Sequence, residues 1–510
     1  MKKMSARQSR RNSARRQRKV AARHAQAGHW SPQSRPMFNA GTVHYEIGAN
    51  TDVMSCGGIA AMHRLATKLG LPDLINDGLH LLKVHLPYHE SDHVLNMAYN
   101  IVGGGTRLQD LERLRHDTAY MNALGADLIP DPTTAGDFCR RFDEGDGVAL
   151  MEAINAVRPK LWQGRGRELL GPVAYIDADG LLAPTFGERK EGMDISHKGI
   201  WGYHPLLVSL ANTKEVLYLV NRPGNVTSHT DAARWIDKAI ALVKPQAPRV
   251  CLRGDTDFSL TTNFDRWAED VDFVFGMDCN SALRTRAEAL DEACWQRLQR
   301  KPKFETLTDE TSDRERRQPH VKERIIEERE FVNLKLNYED VAEFDYKPGK
   351  CNRPYRVVVV RKNITQMKGE LALLDNLRYV FYITTRTDLT AAEVVACANQ
   401  RCDQENVIAQ LKNGVNAMRV PLYDLVSNWA YMVMAALAWN LKSWFAMMQP
   451  LHRDRREGVN MEFRRFIHSF ILIPCRVVRR ARGVVLRFLG YQPTLDRLFS
   501  AWRTIERTVF

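Results

Sequence analysis

The strongest constraint on the fold is a series of apolar, strand-length runs between Gly171 and Gly276, broken once by an amphipathic helix. Short apolar or β-branched runs bounded by Gly, Asn or Asp predict buried strands. The predicted strands cover 173–179, 203–211, 216–220, 249–253 and 272–276, and the predicted helix covers 230–243. This order predicts an α/β fold built on one sheet.

The rest of the chain flanks or interrupts this core. The alternation is lost between about 285 and 375, where charge of both signs is dense, and it resumes at Tyr379–Thr384. Three early strands, a helical crossover and further strands are the order of an RNase H-like sheet, here with a β-rich insertion. The predicted division is a disordered basic tail at 1–45, helices at 46–165 that either bind DNA or only pack, the first part of an RNase H-like core at 166–285, the β-rich insertion at 286–377, the rest of the core with a glutamate-bearing helix at 378–415, and a C-terminal helical region at 416–510 that includes helices 426–448 and 463–489.

Charge and cysteine content narrow the class of partner. The 510 residues carry a formal net charge of +13, and no acidic residue precedes Glu46. This balance favours a polyanionic partner, nucleic acid before membrane, because a basic tail gains affinity by releasing phosphate counterions; the alternative is a tail that only solubilises. The nine cysteines form no CxxC pair, and neither a secretory signal nor a membrane span is evident. We therefore expect a cytoplasmic protein with no membrane contact.

A helix with both acidic and basic residues is predicted after Thr390. Thr390 and Glu393 have capping-box spacing, and Gly414 supplies a stop. On one continuous helix Arg401, Glu405 and Lys412 share a face. Taken alone, such a stripe is typical of an exposed ion-pair ladder, but it also fits the wall of a metal and phosphate site.

Further carboxylates of the predicted core decide between these alternatives. Asp177 and Asp179 lie on one face of the first strand, and Asp255 follows a later strand. Two divalent ions that clamp the attacking and leaving oxygens of a phosphodiester need such carboxylates, and Mg²⁺ suits them because it keeps positions for water and phosphate. The candidate phosphate-binding cations are Arg253, Arg401 and Lys412.

Other site signatures are weaker. His89 and His93 have helical i,i+4 spacing without an evident third ligand, so a structural pair is favoured over zinc. No zinc ribbon, P-loop or dinucleotide-binding fingerprint is present.

The motifs around these acids resemble a known family. They are IDADGLLAPT at 176–185, KGIWGYHPLLVSLANT at 198–213, NRPGN at 221–225, LRGDTDFS at 252–259 and NQRCDQENVIAQLK at 399–412. Together they resemble the DDE transposases of bacterial insertion sequences, within these the insertion-sequence thirteen-eighty group, which is related to the insertion-sequence-four type. The family's Tyr-x2-Arg-x3-Glu-x6-Lys signature is matched at Arg401, Glu405 and Lys412, with Ala398 in place of the tyrosine.

The resemblance implies a set of site residues. Asp179, Asp255 and Glu405 would be catalytic, and the same three residues with Asp177 would hold metal. The first aspartate is ambiguous, and alignment on Pro184-Thr185 favours Asp179 over Asp177. Trp201 and Tyr203 are candidates for stacking on a flipped base, although aromatic core residues are commoner.

The resemblance also implies a reaction. It is metal-dependent cleavage at the ends of an insertion sequence and transfer of the freed 3′-hydroxyl into target DNA, with two Mg²⁺ ions, or Mn²⁺, as cofactor. Double-stranded DNA would be the partner, bound by a homodimer in the synaptic complex, in the bacterial cytoplasm at the nucleoid. The alternatives are a stand-alone RNase H-like nuclease and an inactive or domesticated DNA-binding protein that keeps the fold.

Overall fold

The computed structural model describes residues 52–196, 198–299, 332–368, 371–480, 483–490 and 492–510, with a few residues before 46. It contains two compact units. The first comprises the described residues up to Glu168, Arg189–Glu191 and Ala409–Phe510, and the second comprises Leu169–Glu188 and Gly192–Ile408. The predicted basic tail falls almost wholly outside the described residues.

The elements are numbered here in chain order. The helices are α1 Ile59–Lys68, α2 Leu71–Gly78, α3 Glu90–Val102, α4 Leu111–Arg115, α5 Thr118–Leu124, α6 Pro132–Cys139, α7 Glu144–Ala156, α8 Arg158–Gln163, α9 Arg167–Leu170, α10 Ala232–Val243, α11 Phe264–Asp270, α12 Ser281–Glu288, α13 Ala391–Gln400, α14 Asp403–Asn413, α15 Leu425–Met447, α16 His452–Asn460, α17 Phe463–Phe466 and α18 Leu495–Arg507. The strands are β1 Val53–Met54, β2 Ala174–Gly180, β3 Ala183–Pro184, β4 Asp194–Ile195, β5 Trp201–Tyr203, β6 Leu206–Leu210, β7 Glu215–Val220, β8 Val250–Gly254, β9 Asp272–Met277, β10 Gln296–Arg297, β11 Val332–Tyr346, β12 Tyr355–Lys368, β13 Leu371–Thr384, β14 Cys475–Arg480 and β15 Gly483–Phe488.

The second unit is built on one mixed sheet. Its nine strands have the order β10-β11-β12-β13-β9-β8-β2-β6-β7. Strand β2 pairs antiparallel with β6 and parallel with β8, and β8 pairs parallel with β9. Every residue of β6, β7 and β8 is buried, which is why these segments read as near-continuous apolar runs. The strands and the helix predicted between Gly171 and Gly276 are present, but the strand predicted at 203–211 is shorter, because Tyr203 belongs to β5 of a separate small sheet and β6 covers only Leu206–Leu210.

The residues of the predicted insertion extend this same sheet. Strands β11, β12 and β13 are antiparallel neighbours, and β13 also pairs with β9 through Phe381–Thr384. Strand β13 therefore runs across the predicted boundary at 377/378 without a break. The β-branched run Val357–Val360 is buried in β12, and Val358 and Val360 belong to one hydrophobic cluster with Val274 of β9 and Val394 of α13, so these strands share the core of the main sheet.

The first unit is organised around α15. Asp424 caps this helix by accepting a hydrogen bond from the backbone N–H of Ser427, and nearly every residue from Ser427 to Met447 is buried. Helices α3, α7 and α16 pack against it. No helix among the described residues is both long and apolar enough to cross a membrane.

The prediction of one continuous helix at 463–489 is wrong. The chain is helical from Phe463 to Ile471, and then forms the antiparallel hairpin β14–β15. Pro474 cannot continue a helix because it has no backbone N–H, and the β-branched pairs Val477-Val478 and Val484-Val485 that follow favour strands.

Candidate active site

A buried ion pair links the two strands that carry the candidate aspartates. In β2, Asp177 is 1% exposed and accepts two hydrogen bonds from Arg253 of β8, from Nε to Oδ1 at 2.7 Å and from Nη2 to Oδ2 at 2.9 Å. The third donor, Nη1 of Arg253, bonds the carbonyl of Cys397 in α13 at 3.2 Å, and the guanidinium lies over the Tyr175 ring. The predicted phosphate-binding role of Arg253 does not fit this placement, because its donors are buried and engaged.

The next inward-facing residue of β2 has a different environment. Asp179 Oδ2 accepts a hydrogen bond from Nη1 of Arg401 at 3.2 Å, and Nη2 of the same guanidinium lies 3.7 Å from Oδ2 of Asp255. The exposed side-chain fractions are 18% for Asp179 and 38% for Asp255. The structure therefore brings Asp179, Asp255 and Arg401 together where solvent reaches them, and it leaves Asp177 behind them in the core.

The predicted single helix is broken at Arg401. Helix α13 ends at Gln400 and α14 begins at Asp403. Across the break the backbone N–H groups of Arg401 and Cys402 bond carbonyls three residues back, as do those of Gln404 and Glu405. Arg401 consequently lies in a tight turn beside the strand ends, not on one helical stripe with Glu405.

The start of α14 is fixed by a residue that the sequence did not single out. Gln404 is 2% exposed, and its Nε2 donates to the carbonyl of Asp177 and to Oγ of Ser209, each at 3.0 Å. Lys214 Nζ lies 3.5 Å from Asp403 Oδ2 and adds a second tie. Glu405 follows Gln404 and is exposed, and Lys412 lies two turns further along the same helix. The only feature of the sequence that could have pointed to Gln404 is its polar side chain at a position on the buried side of the helix.

The electrostatics favour a cation between the aspartates. Burial raises the pKa of Asp179 to about 6; the positive charge of Arg401 opposes the rise and the negative charge of Asp255 adds to it. Burial also raises the pKa of Asp255. Two carboxylates in one partly buried place are costly when both are ionised, and Arg401 offsets part of that cost.

The donor set fits divalent metal. Asp179, Asp255 and Glu405 offer only carboxylate oxygens, which Mg²⁺ prefers, and the partial exposure of the two aspartates leaves access for water and phosphate. The carboxylate oxygens of these three acids do not all lie within 4.8 Å of one another, as they would have to in a site for one ion. A site with two ions about 3.5–4 Å apart can use carboxylates that are further from one another. Arg401 occupies the position between the aspartates that such a cation would take.

The two aromatic candidates differ. Tyr203 is fully buried, so its ring cannot receive a base, whereas Trp201 is 54% exposed. Trp201 lies in β5, the middle strand of the small sheet β3-β5-β4.

Neighbouring carboxylates such as Asp179, at the end of β2, and Asp255, directly after β8, are the kind of ligand that two-metal phosphodiester chemistry needs. The model of the family described as transposase DDE domain group 1 matches residues 46–509, and the chain belongs to this family. The predicted resemblance to DDE transposases is thus confirmed at the level of the family, and the thirteen-eighty group stays a prediction. Comparison with curated protein sequences gives no match. Among solved structures, a cryo-EM structure of the piggyBac transposase synaptic complex with hairpin DNA matches with 11% identity and a TM-score of 0.34, covering 82% of each chain.

Replacing Arg253 by Met is expected to lower the free energy of unfolding by about 3–5 kcal/mol, because it leaves the Asp177 carboxylate buried and unpaired. Denaturant unfolding of the variant measures this loss. The double variant Asp177→Asn/Arg253→Met removes both charges and should recover much of the stability. A single variant within about 1 kcal/mol of wild type would contradict a structural ion pair.

Asp179→Asn is expected to stabilise the metal-free protein. A carboxyl whose pKa rises to about 6 on folding gives stability that is full below its ordinary pKa and is lost as the pH rises through 6. The neutral amide avoids that loss, so the free energy of unfolding should rise by on the order of 1–3 kcal/mol at pH 8 and by progressively less toward pH 4. Melting temperatures in EDTA across this pH range measure the effect, with the exposed Asp257→Asn as control. A gain in melting temperature that does not depend on pH would argue against a raised pKa at Asp179.

Proposed function

We propose that the protein is a DNA transposase that cleaves DNA at the ends of an insertion sequence and joins the freed 3′-hydroxyl to target DNA. The observation that carries the proposal is that Asp179 and Asp255, on neighbouring strands, share one guanidinium in a chain of the DDE transposase family. The strand order β9-β8-β2-β6-β7, with β6 antiparallel to β2 and to β7, supports an RNase H-like core.

The acidic residues would hold the metal. Asp179 and Asp255 would bind it from the strand ends, and Glu405 would complete the set from α14. Divalent ions supply activation of the attacking hydroxyl and stabilisation of the leaving oxygen. Asp177 has no part in this ligand set, because both of its oxygens are engaged by Arg253. Mg²⁺ is the expected ion, with Mn²⁺ as a substitute and two ions in the working site.

Arg401 would exchange partners during the reaction. In the structure it neutralises Asp179 and Asp255, and it would lose this role once these carboxylates held metal. Its guanidinium would then be available to a phosphate oxygen, which it can bind with two parallel hydrogen bonds. Arg401 lies in the turn between α13 and α14, where its backbone N–H bonds a carbonyl three residues back. Its side chain can therefore move without unwinding either helix. Lys412 is a further candidate for phosphate binding.

The hairpin β14–β15 supplies a second surface for DNA. Arg476 and Arg487 lie directly opposite each other in the register, and both are exposed, as are Arg479 and Arg480. Like charges in direct cross-strand pairs destabilise a sheet. A phosphate backbone lying along the hairpin would reverse that cost.

The assembly, the subgroup and the place in the cell are proposed from the resemblance to DDE transposases. We propose two copies of the chain on paired DNA ends, membership of the insertion-sequence thirteen-eighty group, and a place at the bacterial nucleoid in the cytoplasm. The basic tail at 1–45 would add affinity for DNA.

Glu405→Ala is expected to abolish Mg²⁺-dependent cleavage of the element's end DNA and to leave DNA binding intact, because the residue contributes a metal ligand and not the DNA surface. Gel assays of cleavage, joining and binding on the DNA that flanks the gene measure both properties. Asn406→Ala changes the adjacent exposed residue of α14 and serves as the matched control. Undiminished cleavage by Glu405→Ala would remove this residue from the catalytic set. Binding without cleavage by the wild-type chain would favour the inactive DNA-binding alternative.

Arg476→Gln/Arg487→Gln is expected to weaken DNA binding and to reduce the slope of log K against log salt by about 0.9 for each phosphate that the variant no longer neutralises. Titrations at several salt concentrations measure this slope. Arg453→Gln/Arg464→Gln removes the same charge from two other exposed positions of this unit. An equal change of slope in both double variants would show that only net charge matters.

A further inference from the structure

A second cluster of metal-binding side chains lies in the first unit, at the start of α3. His85, His89 and Glu90 place their ligand atoms within 4.8 Å of one another, and in the part of the chain that the structure describes no other group of three does so. His85 lies in the segment between α2 and α3, His89 is the N-cap of α3, and Glu90 is its first residue. The three residues therefore join a loop to the end of a helix.

Glu90 is oriented like a metal ligand. Its side chain is 1% exposed, and Oε1 accepts hydrogen bonds from the backbone N–H groups of Leu81 and Leu82, each at 3.0 Å. These bonds fix the carboxylate, as outer-shell hydrogen-bond donors do at metal sites. The other oxygen, Oε2, is buried and accepts no hydrogen bond of good geometry from the described residues, although His85 lies within ion-pair distance of it. Such an oxygen is costly to bury unless a cation or a donor satisfies it.

The imidazole of His85 lies next to this oxygen, and the imidazole of His89 is stacked on that of His85. His85 Nε2 lies 3.1 Å from Glu90 Oε2, and the rings of His85 and His89 are stacked with centroids 4.5 Å apart. Ligands bound to one zinc ion at 2.0–2.1 Å in a tetrahedron are about 3.4 Å apart. The separation of His85 and Glu90 is already close to that value, and His85 is in an exposed loop that can adjust the third position.

A simple ion pair is the competing explanation. A His85 with a proton on Nε2, neutral or cationic, would satisfy Oε2 by itself and would leave the stacked imidazole of His89 without a role. A bound ion satisfies Oε2 and gives both stacked rings, in their neutral form, a reason to converge. His93, four residues after His89, is buried and stacks on Phe138 at a centroid distance of 4.3 Å, which agrees with the structural role favoured for it over zinc.

We propose that His85, His89 and Glu90 bind one zinc ion or a similar transition metal ion, which clips the loop between α2 and α3 onto α3. Two imidazoles and one carboxylate are a known three-ligand set for zinc, with a fourth position left to water. Imidazole nitrogen favours Zn²⁺, Co²⁺ or Ni²⁺ over Mg²⁺, so this site differs in metal preference from the all-oxygen set of Asp179, Asp255 and Glu405. The inference does not rest on the proposed function.

The test uses the untagged full-length chain, stripped with a chelator and titrated with Co²⁺ and Zn²⁺ in an excess of Mg²⁺. The visible absorption of Co²⁺ reports nitrogen ligands, and elemental analysis gives the stoichiometry. About one equivalent is expected, with displacement of Co²⁺ by Zn²⁺ and a higher melting temperature in zinc. His85→Ala, His89→Ala and Glu90→Gln should each lose the absorption and the zinc-dependent rise in melting temperature.

Two controls keep the result interpretable. Glu90→Gln retains an oxygen acceptor for Leu81 and Leu82, and circular dichroism of each metal-free variant verifies its fold. His116→Ala removes an exposed histidine whose Nε2 lies 2.9 Å from Glu112 Oε1 but that belongs to no described group of three ligands, so it should bind the ion like wild type. Failure of the wild-type chain to bind, retention of binding by His85→Ala in a folded protein, or equal loss in His116→Ala would each overturn the proposal.

Discussion

Arg253 holds three elements of the second unit together at one buried point. Its guanidinium bonds Asp177 of β2 with two donors and the carbonyl of Cys397 of α13 with the third. Because Asp177 is two residues before Asp179, and Arg253 is two residues before Asp255, the ion pair sets the register in which both candidate ligands leave the sheet. A buried pair of this kind contributes little net stability over an apolar pair, but it admits only one arrangement of the strands.

The break between α13 and α14 lets one chain segment serve two purposes. The turn places Arg401 between the aspartates, while Gln404 anchors α14 to β2 and β6. A continuous helix would turn Arg401 and Glu405 to the same face and separate the cation from the strand ends. Local departure from regular backbone at a site that binds ligands is a recurrent feature of enzymes.

The sequence predicts most of this core because its signals are local. The strands β2 and β8 follow from short apolar runs bounded by glycine, and Asp179 and Asp255 follow from their positions at the strand ends. The role of Arg253 does not follow, because its partner lies 76 residues away and an arginine beside an aspartate motif suits phosphate equally well. The break at Arg401 could not be predicted, because no Gly or Pro lies near it in the sequence and it depends on tertiary hydrogen bonds. The β14–β15 hairpin was missed because arginines are common in helices, and the valine pairs indicate a strand only once Pro474 has ended the helix.

Strand β13 makes the β-rich insertion inseparable from the main sheet of the second unit. Its last residues pair with β9, and the rest of the strand pairs with β12 along a single unbroken backbone. Deleting or transplanting residues 286–377 would cut this strand and expose the edge of β9, inviting association with other chains. The far ends of β11, β12 and β13 pair only with one another, so a change of length there would leave the pairing of β13 with β9 intact.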